Sequence, residues 1–133
     1  MKFYIAARSG KKDVVKNIHK KLTSKGYKYL STWTKVKNLM PYENNVRLSR
    51  SLSIKCINAA KKCDVFVLVS DQEGAGMYTE LGVAMLSSSL YGKPKIYVIG
   101  DHTNRSMFFF HPLVNRLKTI DDVLLDLERK HKK

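Results

Sequence analysis

The stretch that most constrains the fold is residues 65–84. A near-continuous apolar run, Val65-Phe-Val-Leu-Val, is followed by a segment containing Gly74 and Gly76 and then by a helical segment with one acid, Glu80. An apolar run of this kind favours a parallel strand that is covered on both faces. The loop after such a strand opens at the carboxyl edge of the sheet, where ligands bind in open α/β proteins. The stretch therefore predicts a buried strand, a ligand-facing loop and a helix with Glu80 in its first turn.

The rest of the chain alternates predicted strands and helices around this stretch. Strands are predicted at 2–7, 27–33, 65–70, 95–99 and, as a short piece, within 112–118. Helices are predicted at about 12–25, 45–62, 77–90 and 119–130. With right-handed crossovers, this order gives one domain over residues 1–133, with a tail that is frayed from about 130. The predicted fold class is α/β: a three-layer α/β/α sandwich, flavodoxin- or Rossmann-like, on about five mostly parallel strands.

The first two helices carry recognisable apolar positions. They are Val14, Val15, Ile18 and Leu22 in the first helix, and Val46, Leu48, Leu52, Ile57 and Ala60 in the second. Lysines occupy the opposite face of the first helix, and His19 lies among them, so we expect its side chain to be solvated.

The charge of +14 is unevenly distributed along the 133 residues. Residues 1–55 contain 14 Lys and Arg against two acids, whereas residues 56–133 contain 11 against nine. A basic half suggests attraction to polyanions or to phosphorylated ligands, although a lysine-rich solvated surface explains it equally well. Nucleic-acid binding is less favoured, because no aromatic residues are interleaved with the basic ones and no fold signature is present.

No apolar run approaches the ~20 residues of a membrane span, and the apolar part of the N-terminus is too short for a signal peptide. Cys56 and Cys63 lie seven residues apart on a predicted helix, too far for a disulfide and without metal-ligand spacing. We therefore expect a cytoplasmic protein that contacts no membrane and needs neither a metal nor another cofactor.

Glu80 is the most chemically suggestive residue. In a first helical turn, backbone N–H groups and the helix dipole would lower its pKa. A charged carboxylate at the mouth of a sheet suits a nucleophile or an electrostatic stabiliser better than a proton donor. Gly74 and Gly76 would let the backbone approach a ligand closely. The alternative is a dipole-favoured acid beside an ordinary turn, since neither a Walker motif nor Gly-x-Gly-x-x-Gly is present.

Several segments resemble one family. Asp64-Val-Phe-Val-Leu-Val-Ser-Asp, followed by Gly76-x-x-x-Glu80-Leu-Gly-Val-Ala, resembles the signature of the nucleoside 2-deoxyribosyltransferase family. The superfamily also contains 2′-deoxynucleoside 5′-monophosphate N-glycosidases. The opening Lys2-Phe-Tyr-Ile-Ala-Ala-Arg-Ser-Gly and the later Arg105-Ser-Met-Phe-Phe-Phe-His-Pro are also similar to family segments. The resemblance covers most of the chain in matching order, but only the central motif is specific.

The resemblance implies a reaction at the N-glycosidic bond of a deoxynucleoside or its 5′-monophosphate. Glu80 would attack the anomeric carbon, form a glycosyl-enzyme intermediate, and pass the sugar to a second base or to water. Tyr4 would orient Glu80 through its hydroxyl; the alternative role for Tyr4 is a packed aromatic of the core.

The resemblance also implies a set of substrate-binding residues. Arg8, Ser9 and Gly10 match the segment that contacts a 5′-phosphate, with a plain surface turn as the alternative. The wider set consists of Ala6, Trp33, Gly74, Gly76 and Met77, with Trp33 expected at the end of the second strand, where it could stack on a base. Asn104, Ser106 and Met107 would reach a neighbouring subunit's site, which predicts a homodimer or larger homo-oligomer. Three consecutive phenylalanines, 108–110, are expected at such a contact.

Two departures from the family pattern put the leaving-group step in doubt. An aspartate of many family members, eight residues before Asp64, is here Cys56, and an aspartate six residues before the nucleophile is here Gly74. Asp71, at the end of the central strand, is the catalytic candidate that could substitute, with a loop-capping acid as the alternative. These departures leave two other functions open: a nucleotide-binding or sensing module with weak or no turnover, and a basic polyanion-binding protein.

Overall fold

The computed structural model describes residues 1–36 and 39–131, with the backbone alone for His131. The strands are β1 (Lys2–Ala6), β2 (Lys28–Tyr29), β3 (Val65–Val69), β4 (Lys95–Ile99) and β5 (Val114–Arg116). The helices are α1 (Lys12–Ser24), α2 (Val46–Lys62), α3 (Gly76–Tyr91) and α4 (Ile120–His131). The strands form one parallel sheet in the order β2-β1-β3-β4-β5. The predicted α/β fold on five parallel strands is confirmed.

The central strand β3 is buried on both faces, as its apolar run predicts. Successive side chains of a strand point to opposite faces, so β3 contributes to two separate cores. Val65, Val67 and Val69 pack with residues of α1 and α4, whereas Phe66 and Leu68 pack with residues of α2 and α3. We call these groups the α1/α4 core and the α2/α3 core.

The strand order reverses direction between β1 and β3. Phe3 pairs with Val65 and Ala6 with Leu68 in the parallel register of these two strands. β1 leads into α1 on one face of the sheet, while β3 leads into α3 on the other face. The two connections diverge and leave a crevice at the carboxyl ends of β1 and β3, which is where open α/β sheets bind ligands.

The second strand is much shorter than the predicted 27–33. Its ladder ends at Tyr29; the amide of Leu30 still donates to the Phe3 carbonyl at 2.8 Å, and the bonds to β1 after that involve side chains. The amide of Ile5 donates to Ser31 Oγ at 2.6 Å, and the indole N–H of Trp33 donates to the Ile5 carbonyl at 3.0 Å. Trp33 therefore lies in a short 3-10 helix, Trp33–Lys35, and does not end a strand.

Some of the predicted apolar positions are exposed. Val14 in α1 and both Val46 and Leu48 in α2 face solvent, and Ala60 is the α2 residue that is fully buried. The prediction for His19 is also wrong, since its side chain is 5% exposed and stacks on Tyr29 with 3.7 Å between ring centroids. An aromatic partner on β2 replaces the water that a helix-surface histidine would contact.

The remaining predictions concern the tail, membranes and cysteines. α4 continues to His131, one residue beyond the predicted end of the last helix, and residues 132 and 133 lie outside the described part of the chain. Within the described residues, no helix combines the length and apolar character that crossing a bilayer requires. Cys56 and Cys63 are both free thiols.

Adjacent leucines of α4 test the packing of the α1/α4 core. Leu124 is 2% exposed, whereas Leu125 is 55% exposed. Leu124→Ala should lower the free energy of unfolding by about 2–5 kcal/mol, because it removes buried methyl groups and leaves a cavity. Leu125→Ala should change it by less than about 0.5 kcal/mol. Urea unfolding of both variants measures the difference, and equal losses would contradict the assigned packing.

Candidate active site

A tyrosine–glutamate pair lies at the crevice between β1 and β3. The Tyr4 hydroxyl donates a hydrogen bond to Glu80 Oε2 across the interface between β1 and α3. Tyr4 is 1% exposed and stacks on Phe66, the residue opposite it in β3, with centroids 5.8 Å apart. Both alternatives considered for Tyr4 therefore hold together: it is a core aromatic, and its hydroxyl orients the glutamate.

Glu80 differs from its predicted environment in two ways. It is the fifth residue of α3 and therefore lies in the second turn, and the first turn contains no acid. The helix dipole weakens within the first turn, so it does not dominate here. Burial instead raises the pKa of Glu80 to about 7, while the Tyr4 hydrogen bond opposes this rise. The predicted lowering of this pKa is therefore wrong, and Glu80 is partly protonated at neutral pH.

Cys56 of α2 is the third polar group at this pair. Its side chain packs against the α2/α3 core and interacts with the Tyr4 hydroxyl. Burial raises the pKa of the Cys56 thiol; the hydrogen bond with Tyr4 lowers it, and the charge of Glu80 raises it further. A neutral thiol therefore occupies the position where many members of the family that the sequence resembles carry an aspartate. It adds no negative charge beside Glu80.

The loop between β3 and α3 is shaped by glycine. Gly74 has φ +110°, which side-chain-bearing residues rarely adopt, and an added Cβ would lie 2.9 Å from Met77 Cε. Met77 is 2% exposed and belongs to the α2/α3 core. Gly76 begins α3, and the space around its Cα is open. Gly74 thus fixes the turn, and Gly76 leaves room at the start of the helix.

Arg8 and Asp71 join the loops that follow β1 and β3. Arg8 Nε donates to Asp71 Oδ2 at 3.0 Å, and Lys11 Nζ lies 3.9 Å from the same oxygen. Asp71 Oδ1 accepts the backbone amide of Glu73 at 3.2 Å. Burial raises the pKa of Asp71, but Arg8 and the Glu73 amide lower it more, so the carboxylate stays ionised. These are the contacts of a loop-capping acid, and no hydrogen bond joins Asp71 to Glu80 among the described residues.

The other predicted phosphate contacts lie beside this ion pair. Ser9 and Gly10 form an exposed 3-10 turn between β1 and α1. The Arg8 guanidinium passes directly over Gly10, where an added Cβ would lie 2.8 Å from Arg8 Cζ. The pair with Asp71 uses Nε, and Nη1 lies 3.9 Å from Glu73 Oε2, beyond hydrogen-bond distance, so both terminal nitrogens keep N–H groups to donate to a ligand.

Ala6 and Trp33 flank the carboxyl end of β1. Ala6 is the last residue of β1 and is fully buried in the α2/α3 core, so its side chain supports the sheet. Trp33 is half-buried, contacts both cores, and is anchored to Ile5 by its indole N–H. It therefore lies on the side of the sheet edge where the crevice opens.

The loop after β4 carries the three residues expected to reach another subunit. Asn104 Oδ1 accepts a 2.6 Å hydrogen bond from Arg116, and Ser106 Oγ caps a 3-10 turn by accepting the amide of Phe108. Met107 is 78% exposed. The two polar side chains are thus engaged within the chain, while Met107 is free to contact another molecule.

Sequence reasoning missed the contacts that tie this loop to the crevice. Arg105 donates to the backbone oxygen of Asp71 at 3.3 Å, and the amide of His102 donates to Ser70 Oγ at 3.1 Å. Gly100 has φ +107°, and a Cβ there would lie 2.7 Å from Ser70 Oγ. In each of these three pairs, the two residues lie at least 30 positions apart in the chain, so only the adjacency of β3 and β4 could have suggested the contacts.

A solved structure shares this fold. The structure of Clostridium botulinum CMP N-glycosidase, BcmB, matches 96% of this chain and 99% of its own length with a TM-score of 0.60 and 16% sequence identity. At this identity, the likeness establishes the fold. No family model matches the sequence, and no curated protein matches it. The fold that the family resemblance implied is thus shared with an enzyme that cleaves N-glycosidic bonds.

Removal of the Tyr4 hydroxyl tests the coupling within the pair. The hydrogen bond from Tyr4 lowers the pKa of Glu80, so Tyr4→Phe should raise that pKa above about 7. Carbon-detected NMR titration of labelled glutamate measures the shift. Tyr97→Phe is the matched control, because the Tyr97 hydroxyl bonds Asp126 in the other core. An unchanged Glu80 titration in Tyr4→Phe, or an equal shift in the control, would refute the coupling.

Proposed function

We propose that this protein is an enzyme that cleaves, or transfers at, the N-glycosidic bond of a nucleoside 5′-monophosphate, with Glu80 as the nucleophile. Membership of the nucleoside 2-deoxyribosyltransferase superfamily is part of the proposal. The observation that carries it is the hydrogen bond from Tyr4 to Glu80 at the reversal point of the sheet. The fold shared with a CMP N-glycosidase supports the same reaction class.

The pair suits Glu80 to nucleophilic attack. Tyr4 holds Oε2, and none of the described residues donates a hydrogen bond to Oε1, so Oε1 can approach an anomeric carbon. Burial raises the pKa of Tyr4, so its hydroxyl keeps its proton and remains a donor. A carboxylate with a pKa of about 7 is also more basic than an exposed one, which favours bond formation from its ionised fraction.

The proposed reaction has two displacements at the anomeric carbon. In the first, an oxygen of Glu80 bonds to the anomeric carbon as the C–N bond breaks, and the departing base takes the bonding electrons and then a proton from solvent. In the second, water or another base attacks the glycosyl ester and releases the Glu80 carboxylate. With water, the products are the free base and a sugar phosphate.

The substrate phosphate would bind at the turn after β1. The terminal nitrogens of Arg8, the hydroxyl of Ser9 and the ammonium of Lys11 lie there, and Asp71 orients Arg8 and compensates part of its charge. Arginine forms paired hydrogen bonds with phosphate, which favours a phosphorylated substrate over a free nucleoside. By the family resemblance, the proposed sugar is 2-deoxyribose.

The second candidate function is a nucleotide-binding or sensing module. It is favoured by Cys56, which places a neutral thiol beside Tyr4 where an acid would assist the departing base. On that reading, nucleotide binding raises the melting temperature, but no base is released. A free thiol beside Glu80 suits a reducing compartment, and we propose a cytoplasmic location on that basis.

The Glu80→Gln variant tests the enzymatic proposal. The assay measures by chromatography the rate at which free base is released from deoxynucleoside and ribonucleoside 5′-monophosphates. This rate should fall at least about 10³-fold in Glu80→Gln, because the nucleophile is lost. The wild-type rate should rise with pH through about 7, since the ionised carboxylate attacks. Glu128→Gln is the matched control, because Glu128 is an exposed acid of α4.

The same assay separates the candidate functions. A thermal shift with nucleotide, but no base from any substrate, would replace the enzyme by the binding module. Absence of both thermal shift and product would reject both functions. Base release that survives Glu80→Gln would retain an enzyme but exclude the proposed nucleophile.

A homodimer or larger assembly stays a prediction. Met107, Phe108 and Phe110 are 78%, 53% and 56% exposed, and they form an apolar tip on the loop after β4. A second copy that covered this tip would bring Asn104 and Ser106 near its own crevice, as the family resemblance implies.

Light scattering coupled to size-exclusion chromatography tests this prediction. The wild type should elute as a dimer or larger, and replacement of Met107 and Phe108 by serine should shift it toward the monomer. Leu125→Ser, an equally exposed position on α4, is the control that should leave the assembly unchanged. A monomeric wild type would refute the assembly.

A further inference from the structure

A second pocket lies away from the crevice, at the edge of the sheet formed by β2. Its volume is about 480 Å³, which is in the range of small-molecule sites. The lining residues used below come from α1, β2 and the 3-10 helix that follows: Lys16, His19, Lys20, Tyr29, Thr34 and Lys35. None of the residues lining the pocket belongs to α2, α3 or the loop between β3 and α3.

The pocket concentrates positive charge without compensation. Lys16, Lys20 and Lys35 line it, and none of them forms an ion pair with a carboxylate of the described residues. Three lysines without a carboxylate partner around one cavity repel one another, and an anion bound among them relieves that repulsion. The arrangement therefore favours a ligand with at least one negative charge.

His19 adds a hydrogen-bonding group that the fold leaves unused. Its side chain is 5% exposed, and Nε2 has no hydrogen-bond partner among the described residues. Buried polar atoms are nearly always paired in native proteins. Nε2 is enclosed by its neighbours, so a ligand in the pocket would reach it only if the surrounding side chains shifted. Its ring is held in place by stacking on Tyr29 at 4° between ring planes.

We propose that this pocket binds the phosphate group of a nucleotide, either free or within a single-stranded nucleic acid. Phosphate oxygens accept hydrogen bonds from several lysines at once, and Thr34 also lines the pocket. The site is separate from the crevice where the substrate would react. It gives the basic N-terminal half of the chain a binding role that the proposed reaction does not use.

The test compares two triple variants with equal loss of charge. One replaces Lys16, Lys20 and Lys35 by glutamine, and the matched control replaces Lys55, Lys61 and Lys62, which are exposed on α2. Binding is measured by calorimetry with inorganic phosphate and a nucleoside 5′-monophosphate, and by fluorescence anisotropy with a labelled single-stranded oligonucleotide over a range of salt. Thermal unfolding checks that both variants remain folded.

Chemical shifts of the Tyr29 and Thr34 amides should move on ligand addition, and they report the pocket separately from the crevice. The affinity read from these two amides should fall at least tenfold in the pocket variant and less than threefold in the control. With the oligonucleotide, the slope of log K against log salt should fall by about 2 for three lost phosphate contacts. Shifts at these amides with the mononucleotide as well as the oligonucleotide would indicate a free nucleotide, and shifts with the oligonucleotide alone a single strand.

Three results would overturn the proposal. If both triple variants lost affinity equally, binding would depend on the general surface charge and not on the pocket. Shifts confined to the amides of Gly74 and Gly76 would assign all binding to the crevice. No binding of any of the three probes at low salt would leave the pocket without a phosphate ligand.

Discussion

The buried hydrogen bond between Tyr4 and Glu80 is the interaction on which the proposed site depends. A carboxylate removed from water is unstable unless a donor compensates it. Tyr4 can act as that donor because β1 and β3 pair in a register that stacks its ring on Phe66. The sheet that builds the core therefore also fixes the position of the reactive oxygen, and a slip of one residue in β1 would turn Tyr4 to the other face.

Burial has two consequences for Glu80 that act in opposite directions. It raises the pKa to about 7, so that a substantial fraction of the carboxyl groups is protonated at neutral pH. It also removes competing water, which strengthens every electrostatic interaction in the crevice. Cys56 fits this balance, because an aspartate at the same position would add a second negative charge and push the pKa of Glu80 higher still.

The sequence predicted the parts of the fold that depend on local periodicity. The apolar run of β3 and the repeat of α4 identify their elements because their burial follows from their own pattern. β2 was predicted too long, since beyond the Leu30 amide the bonds to β1 come from the side chains of Ser31 and Trp33. No local sequence pattern predicts that side chains will replace backbone hydrogen bonds between strands that are far apart in the sequence.

The sequence predicted that Tyr4 and Glu80 lie together, but not the electrostatics of the pair. The motif located Glu80, yet helix α3 begins one residue earlier than predicted, which moves Glu80 out of the first turn. Its pKa depends on burial and on the Tyr4 hydroxyl of β1, which sequence spacing does not reveal. The prediction that His19 is solvated was wrong for the same reason, because its burial depends on Tyr29 at the edge of the sheet.

The close passage of Arg8 over Gly10 has a consequence for how the crevice can vary. Gly10 carries no charge, and its backbone has no positive φ, so neither electrostatics nor backbone strain marks it as important. Yet any side chain there would displace the guanidinium and break its alignment with Asp71. The placement of a cation in this loop is thus controlled by an uncharged neighbour, and a change at position 10 would alter the electrostatics of the site without altering its charge.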